Sequence, residues 1–186
     1  RHLGPAKVFV TEAAAIHAIK NNLIPEGDVL VLACSGPLGA GMQEVYQITA
    51  ALKALPFGKH VAVLTDARFS GVSTGACIGH ISPEALAGGA IGRLQDGDRI
   101  EIIIDRTNLT GTVNFVGDAE NNFNHEEATR QLLLRSPRSD LAPHPALPDD
   151  TRLWAALVQA SGGIWGGCVY DVDTITALLA KGQNAI

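Results

Sequence analysis

Two short runs constrain the fold more than anything else in this sequence: Val29–Ala33 (VLVLA) and His60–Thr65 (HVAVLT). The first carries no polar residue on either side of a strand. Strands that read this way are buried on both faces, as in parallel sheets covered by helices. Each run leads into a loop of small residues, Ser35–Met42 (SGPLGAGM) after the first and Asp66–Gly79 after the second. Helical spacing surrounds them. Thr11 supplies an N-cap, with Glu12 in the first turn, for a helix over 12–21. Val45, Ile48, Leu52 and Leu55 recur at three- and four-residue steps and predict a helix over 43–55. With a strand at 6–10 (AKVFV), the reading is a mixed α/β fold.

The second half is different in character. Ser82-Pro83-Glu84 opens a helix with proline in its first turn. Asp96-Gly97-Asp98 is a turn, and 99–104 with 110–116 form a hairpin. A helix covers 125–134. Four prolines (137, 143, 145, 148) mark 136–150 as a linker. Helices over 151–160 and 172–181 flank the loop Ser161–Cys168. The organisation expected is a domain over 1–135, a Pro-rich linker over 136–150 and a helical C-terminal appendage over 151–186.

Composition narrows the function classes. The 186 residues suit one domain plus a small appendage. Charged residues make up 18%, against roughly 25% in typical soluble domains. We therefore expect apolar surface covered by another domain or by a second subunit in a homo-oligomer. A net charge of −5 without a Lys/Arg cluster argues against nucleic-acid or anionic-membrane partners. The longest uncharged stretch, Val29–Gln43, is too short and too broken by Gly and Pro to span a bilayer. Cys34, Cys77 and Cys168 show no CxxC or Cys/His ligand spacing, so no local zinc or iron–sulfur site is encoded. So odd and sparse a set fits a reducing compartment, the cytoplasm. The chain opens on Arg1 without a signal-peptide pattern, as a piece of something longer would.

The two small-residue loops are where chemistry could sit. The first follows a strand and precedes a helix as phosphate loops do, but lacks GxGxxG and a Lys-Ser/Thr ending. It reads either as a tight turn or as an anion cradle at Gly36–Gly41. Glu44 lies just past it, at the start of the next helix, as either a ligand for a hard cation such as Mg²⁺ or a helix-dipole partner. In the second loop, Ser70 between Phe69 and Gly71 can face a cleft, with Ser73 and Thr74 beside it. No GxSxG elbow is present and no spacing supplies a base. The alternative is that these hydroxyls bond a local turn, with Asp66 and Arg68 a surface pair. His80 either titrates near neutrality or bonds the following turn. Trp154 and Trp165 read as packing residues.

Taken together, Gly36–Glu44 (GPLGAGMQE), Val61–Gly71 (VAVLTDARFSG), Ile78–Ala85 (IGHISPEA), Gly88-Gly89 and Asp96–Asp98 (DGD) resemble the C-terminal domain of the dihydroxy-acid and sugar-acid dehydratase family. That family's pattern is close to GPxGxPGMPE, TDGRFSG, GHxSPEA and DGD, in this order. The resemblance covers roughly residues 8–116. The tail, with Trp154 and Gly162–Asp171 (GGIWGGCVYD), resembles the aldonic-acid branch, the D-xylonate dehydratases.

The resemblance implies a hydro-lyase that converts a 2,3-dihydroxy acid into a 2-keto-3-deoxy acid. It implies an iron–sulfur cluster acting on the leaving C3 hydroxyl, a Mg²⁺ holding the substrate carboxylate and C2 oxygen, and a serine taking the C2 proton. Glu44 matches the metal-ligand glutamate and Ser70 the serine base; Ser73 or Thr74 would orient substrate. The cluster's cysteines belong to an N-terminal domain outside this chain, so the chain alone is expected to be inactive. The implied fold is a swivelling β-barrel-like domain, as in the mobile domain of aconitases, with flanking helices. The sequence departs from the pattern where Ala40–Gln43 replaces PGMP and Ala67 replaces a glycine, changes that fit altered substrate preference. The runner-up reading is a non-catalytic swivel or regulatory module binding a small anion at Gly36–Gly41.

Overall fold

The computed structural model describes residues 1–183. In chain order it contains β1 (His2–Phe9), α1 (Glu12–Lys20), β2 (Val29–Leu32), α2 (Pro37–Ala40), β3 (Glu44–Val45), α3 (Gln47–Lys53) and β4 (Ala62–Thr65). There follow β5 (Arg68–Phe69), β6 (Cys77–Ile78), β7 (Arg99–Asp105), β8 (Thr110–Gly117), α4 (His125–Leu134), α5 (Asp149–Ala160) and α6 (Val172–Gln183).

The apolar runs become β2 and β4, neighbours in a six-stranded mixed sheet of order β6-β4-β2-β1-β7-β8. The pairs β6/β4, β4/β2 and β2/β1 are parallel, while β1/β7 and the hairpin β7/β8 are antiparallel. Because side chains alternate along a strand, β2 sends Val29 and Val31 into one core and Leu30 and Leu32 into another. The first core is closed by Ala128 and Leu132 of α4 with Ile91, Ile100 and Phe115. The second is closed by Ala15, Ala18 and Ile19 of α1 and by Ile48 and Leu52 of α3. Both faces of β2 are therefore dry, as its uninterrupted apolar run requires. Leu30 is wholly buried, which is worth about 1.5–3 kcal/mol relative to exposure.

Local signals explain the helices that begin where expected. Thr11 Oγ1 accepts the Ala14 N–H at 3.2 Å, and Asn124 Oδ1 caps α4 through the Glu127 N–H at 2.9 Å. The helix expected over 43–55 is shorter and preceded by a strand. Glu44–Val45 pairs with Arg68–Phe69, and α3 starts only at Gln47. Its orphan amides are capped from a distance: the Glu12 carboxylate accepts the Tyr46 and Ile48 N–H groups at 3.2 and 3.0 Å. Residues Ser82–Glu84 open only a single 3-10 turn, Ala85–Ala87, which Gly88 ends in the left-handed region.

Residues 136–150 lie against the sheet domain. Arg138 N–H donates to the Gly92 carbonyl at 2.9 Å and His144 N–H to the Gly39 carbonyl at 2.7 Å, while Leu141 packs on the first core. Helix α5 then rests on α2. Helix α6 buries no residue and exposes Val172, Leu178 and Leu179. The last three residues of the 151–186 appendage lie outside the described residues. Among the described residues, no helix is long and apolar enough to cross a membrane.

Candidate functional site

The parallel register sets Leu32 of β2 beside Thr65 of β4, so the loops leaving these strands meet at one end of the sheet. Ligands of open α/β sheets gather at this end, outside the carboxyl ends of the strands. Backbone N–H groups collect there and need acceptors. Asp66 supplies one. It is fully buried and accepts the N–H groups of Cys34 (3.1 Å), Ser35 (2.8 Å) and Ala85 (2.9 Å). Glu84 supplies another: 1% exposed, it accepts the N–H of Leu38 at 3.0 Å and, more loosely, that of Gly39 at 3.4 Å.

The expectation of an Asp66–Arg68 surface pair is thus corrected. Asp66 turns inward to three amides, and Arg68 turns outward to Glu44. Burial pushes both buried carboxyls up. For Asp66 the three backbone N–H groups oppose that shift. For Glu84 the desolvation outweighs its N–H donors, the charge of Asp66 adds to it, and the pKa reaches about 7.

The glycines of the first loop make room for this arrangement. A Cβ on Gly36 would lie 2.5 Å from Glu84 Oε2, and one on Gly39 only 2.1 Å from the Cys34 carbonyl oxygen. Of the amides at Gly36–Gly41, those of Leu38 and Gly39 face Glu84, and those of Ala40 and Gly41 bond the Gly36 and Pro37 carbonyls. The cradle holds an internal carboxylate. Neither Asp66 nor Glu84 stood out in the sequence. The signal available was an acid immediately after a wholly apolar strand, where loop amides converge.

The residues singled out from the sequence lie on the outer side of these loops. Strands β3 and β5 pair in parallel, with Glu44 opposite Arg68 and Val45 opposite Phe69. Ser70 continues β5, its N–H donating to the Val45 carbonyl at 3.1 Å. Glu44 and Ser70, 26 residues apart in sequence, therefore sit on adjacent extended segments. Glu44 is placed on a strand, and not at a helix start as expected, because its backbone pairs with β5. Its Oε2 accepts from Arg68 Nη1 at 3.0 Å, both side chains about half exposed, and Arg68 Nε donates to the Met42 carbonyl at 3.2 Å. Such an exposed pair is worth under about 1 kcal/mol.

The neighbouring hydroxyls divide. Ser73 Oγ lies 3.2 Å from the buried Thr49 hydroxyl and 3.4 Å from the Val45 carbonyl, so it braces the turn. Thr74 is exposed and borders a hollow of about 360 Å³ with Thr49, Lys53 and Lys59. His80 has φ of +56°. Its N–H donates to the Ala67 carbonyl at 2.8 Å, and its carbonyl accepts from Ser82 Oγ at 2.8 Å, leaving the imidazole exposed.

The residues present differ in how they suit the two cofactors. Glu44 has one oxygen on Arg68 and no protein partner on Oε1 among the described residues. A single exposed carboxylate of this kind suits Mg²⁺, which is typically held by one or two carboxylates with waters and substrate completing its shell. An iron–sulfur cluster does not fit this chain. Among the described residues no three His, Cys, Asp or Glu side chains converge, and Cys34 Sγ donates to the Ala142 carbonyl at 3.3 Å.

Comparison with known proteins agrees with the loop motifs. A family model described as dihydroxy-acid/6-phosphogluconate dehydratase C-terminal matches residues 1–141. The chain belongs to this family, as its C-terminal domain. It is 56% identical over 185 residues to the D-xylonate dehydratase YagF of Escherichia coli (strain K12), a match covering 100% of this chain and 28% of that protein. It is also 56% identical to the D-xylonate dehydratase YjhG of the same organism, over 98% of this chain and 28% of that protein. The dihydroxy-acid dehydratase of Halothermothrix orenii (strain H 168 / OCM 544 / DSM 9562) is 52% identical over 109 residues, 58% of this chain and 20% of that protein. The chain thus spans little more than a quarter of the length of the D-xylonate dehydratases it matches.

Proposed function

We propose that this chain is the C-terminal part of a hydro-lyase that removes water from a sugar acid such as D-xylonate, giving a 2-keto-3-deoxy acid. The observation that carries the reading is the β3/β5 pairing, which puts Glu44 opposite Arg68 and Ser70 two residues further along the adjacent segment. Glu44 would contribute one carboxylate oxygen to a Mg²⁺. When bound, that ion supplies positive charge at the substrate carboxylate and C2 oxygen, which acidifies the C2–H. Ser70 accepts the C2 proton.

A serine hydroxyl is a poor base unless its charged form is favoured. In this chain Ser70 Oγ accepts the Val72 N–H at 3.5 Å, and Lys53 Nζ donates to the Val72 carbonyl at 3.4 Å in the same turn. Thr74 is free to meet substrate hydroxyls, whereas Ser73 holds the loop through Val45 and Thr49.

The site is open to solvent here, and exclusion of water strengthens such electrostatics. The cover we assign to the remainder of the polypeptide, which also brings the cluster's cysteines, so that the chain alone does not turn over substrate. In this reading the domain moves against that remainder as a swivelling unit, as in the mobile domain of aconitases. The apolar residues exposed on the tail, Leu153, Trp165, Val169 and Leu179 among them, face either that remainder or a second subunit of a homo-oligomer.

The test is Ser70→Ala in the full-length protein with D-xylonate as substrate. General-base loss lowers kcat by about 10²–10⁴-fold or more with little change in KM, the mark of an interaction made in the transition state. The variant also stops exchanging the C2 proton with solvent deuterium. Activity within a few-fold of wild type would place the base elsewhere.

A further inference from the structure

The loop that leads to Glu44 is held from outside by residues 142–151, at three points. At its start, Cys34 Sγ donates to the Ala142 carbonyl at 3.3 Å. In its middle, the Gly39 carbonyl accepts the His144 N–H at 2.7 Å. At its end, Gly41 packs so tightly that a methyl built on it would lie 2.5 Å from Thr151 Cγ2 and 3.4 Å from Leu147 Cδ1. Gly41 is in the left-handed region at φ +66°, closing α2 through its N–H to the Pro37 carbonyl. The chain then reaches Glu44 in three residues. Thr151 is in the first turn of α5, which lies beyond the stretch matched by the family model but within the full-length match to the D-xylonate dehydratase YagF.

We propose that Thr151 is a positioning residue for Glu44, its Cγ2 methyl wedging α5 against Gly41 so that the loop presents the carboxylate in one place. This rests on the reading of Glu44 as a Mg²⁺ ligand. A methyl–backbone contact of this kind transmits position because packed groups have little room to shift. Loss of groups that orient a metal ligand typically weakens metal affinity by 10–100-fold.

The experiment uses the full-length protein with Thr151→Ser, which deletes only the methyl, and Thr151→Val, which keeps it and deletes the hydroxyl. Mg²⁺ affinity is measured by calorimetry, and hydrogen exchange is followed at the amides of residues 38–44. We expect Thr151→Ser to weaken Mg²⁺ roughly tenfold and to speed exchange in that segment. Thr151→Val should behave as wild type in both, with kcat at saturating Mg²⁺ unchanged in each. Unchanged exchange in Thr151→Ser, or equal effects of the two variants, overturns the proposal. Glu44→Gln separates it from the reading beneath it. Faster exchange in Thr151→Ser together with unaltered Mg²⁺ binding in Glu44→Gln keeps the wedge and removes the metal-ligand role.

Discussion

Replacing Glu84 by Gln should stabilise the chain at alkaline pH and leave it nearly unchanged in acid. The carboxyl is 1% exposed, and burial with the nearby charge of Asp66 moves its pKa from an ordinary 4.5 to about 7. Between these values the folded state keeps a proton that the unfolded state has released. Stability therefore falls as pH rises from 4.5 to 7 and is flat in this group's contribution above that. At roughly 1.4 kcal/mol per decade, the buried charge costs about 3 kcal/mol at pH 8. Glutamine keeps an oxygen for the Leu38 N–H and carries no charge, so it avoids that penalty. For a chain of this length, about 3 kcal/mol corresponds to roughly 6–12 °C in Tm. Urea and thermal unfolding of wild type and Glu84→Gln at pH 4.5, 6, 7 and 8 test this. The two curves should coincide at pH 4.5 and separate with rising pH, the variant above. A variant less stable than wild type at pH 8, or one that loses stability between pH 4.5 and 7 as wild type does, would refute the reasoning.

Asp66→Asn should cost about 2–4 kcal/mol, because the amide NH2 that replaces one oxygen confronts backbone donors with no acceptor for them. Urea unfolding reads the loss, and hydrogen exchange should quicken at Cys34, Ser35 and Ala85. Gly36→Ala should cost about 1–3 kcal/mol by overpacking, since its methyl meets Glu84 Oε2 at 2.5 Å and Glu84 Cβ at 2.9 Å. Gly71→Ala, with open space around the new Cβ, is the control and should stay within about 0.5 kcal/mol of wild type.

Much of the framework was legible because its causes are local. The buried strands β2 and β4 follow from apolar runs and α1 from the Thr11 cap, while the runs 99–104, 110–116 and 125–134 became the β7/β8 hairpin and α4. Glu44 and Ser70 were picked out as candidates through the order and content of the loop motifs. What was not legible depended on residues far apart in sequence. The helix expected to contain Glu44 gave way to β3 because Arg68–Phe69 offered a parallel partner 24 residues on. The cap of α3 came from Glu12, 36 residues before Ile48. The glycine loop looked like an anion cradle, but Glu84, 46 residues beyond Leu38, fills it from within.

The sequence by itself thus determined the central strands β2 and β4, the helices α1 and α4 and the β7/β8 hairpin, since apolar runs, capping and turn chemistry act over a few residues. Only the tertiary structure decided that Asp66 turns inward, that Glu44 pairs with Arg68, two residues before Ser70, and that α5 bears on Gly41. Those outcomes are set by sheet register and by the need of converging loop amides for an acceptor, and neither exists until distant segments have packed.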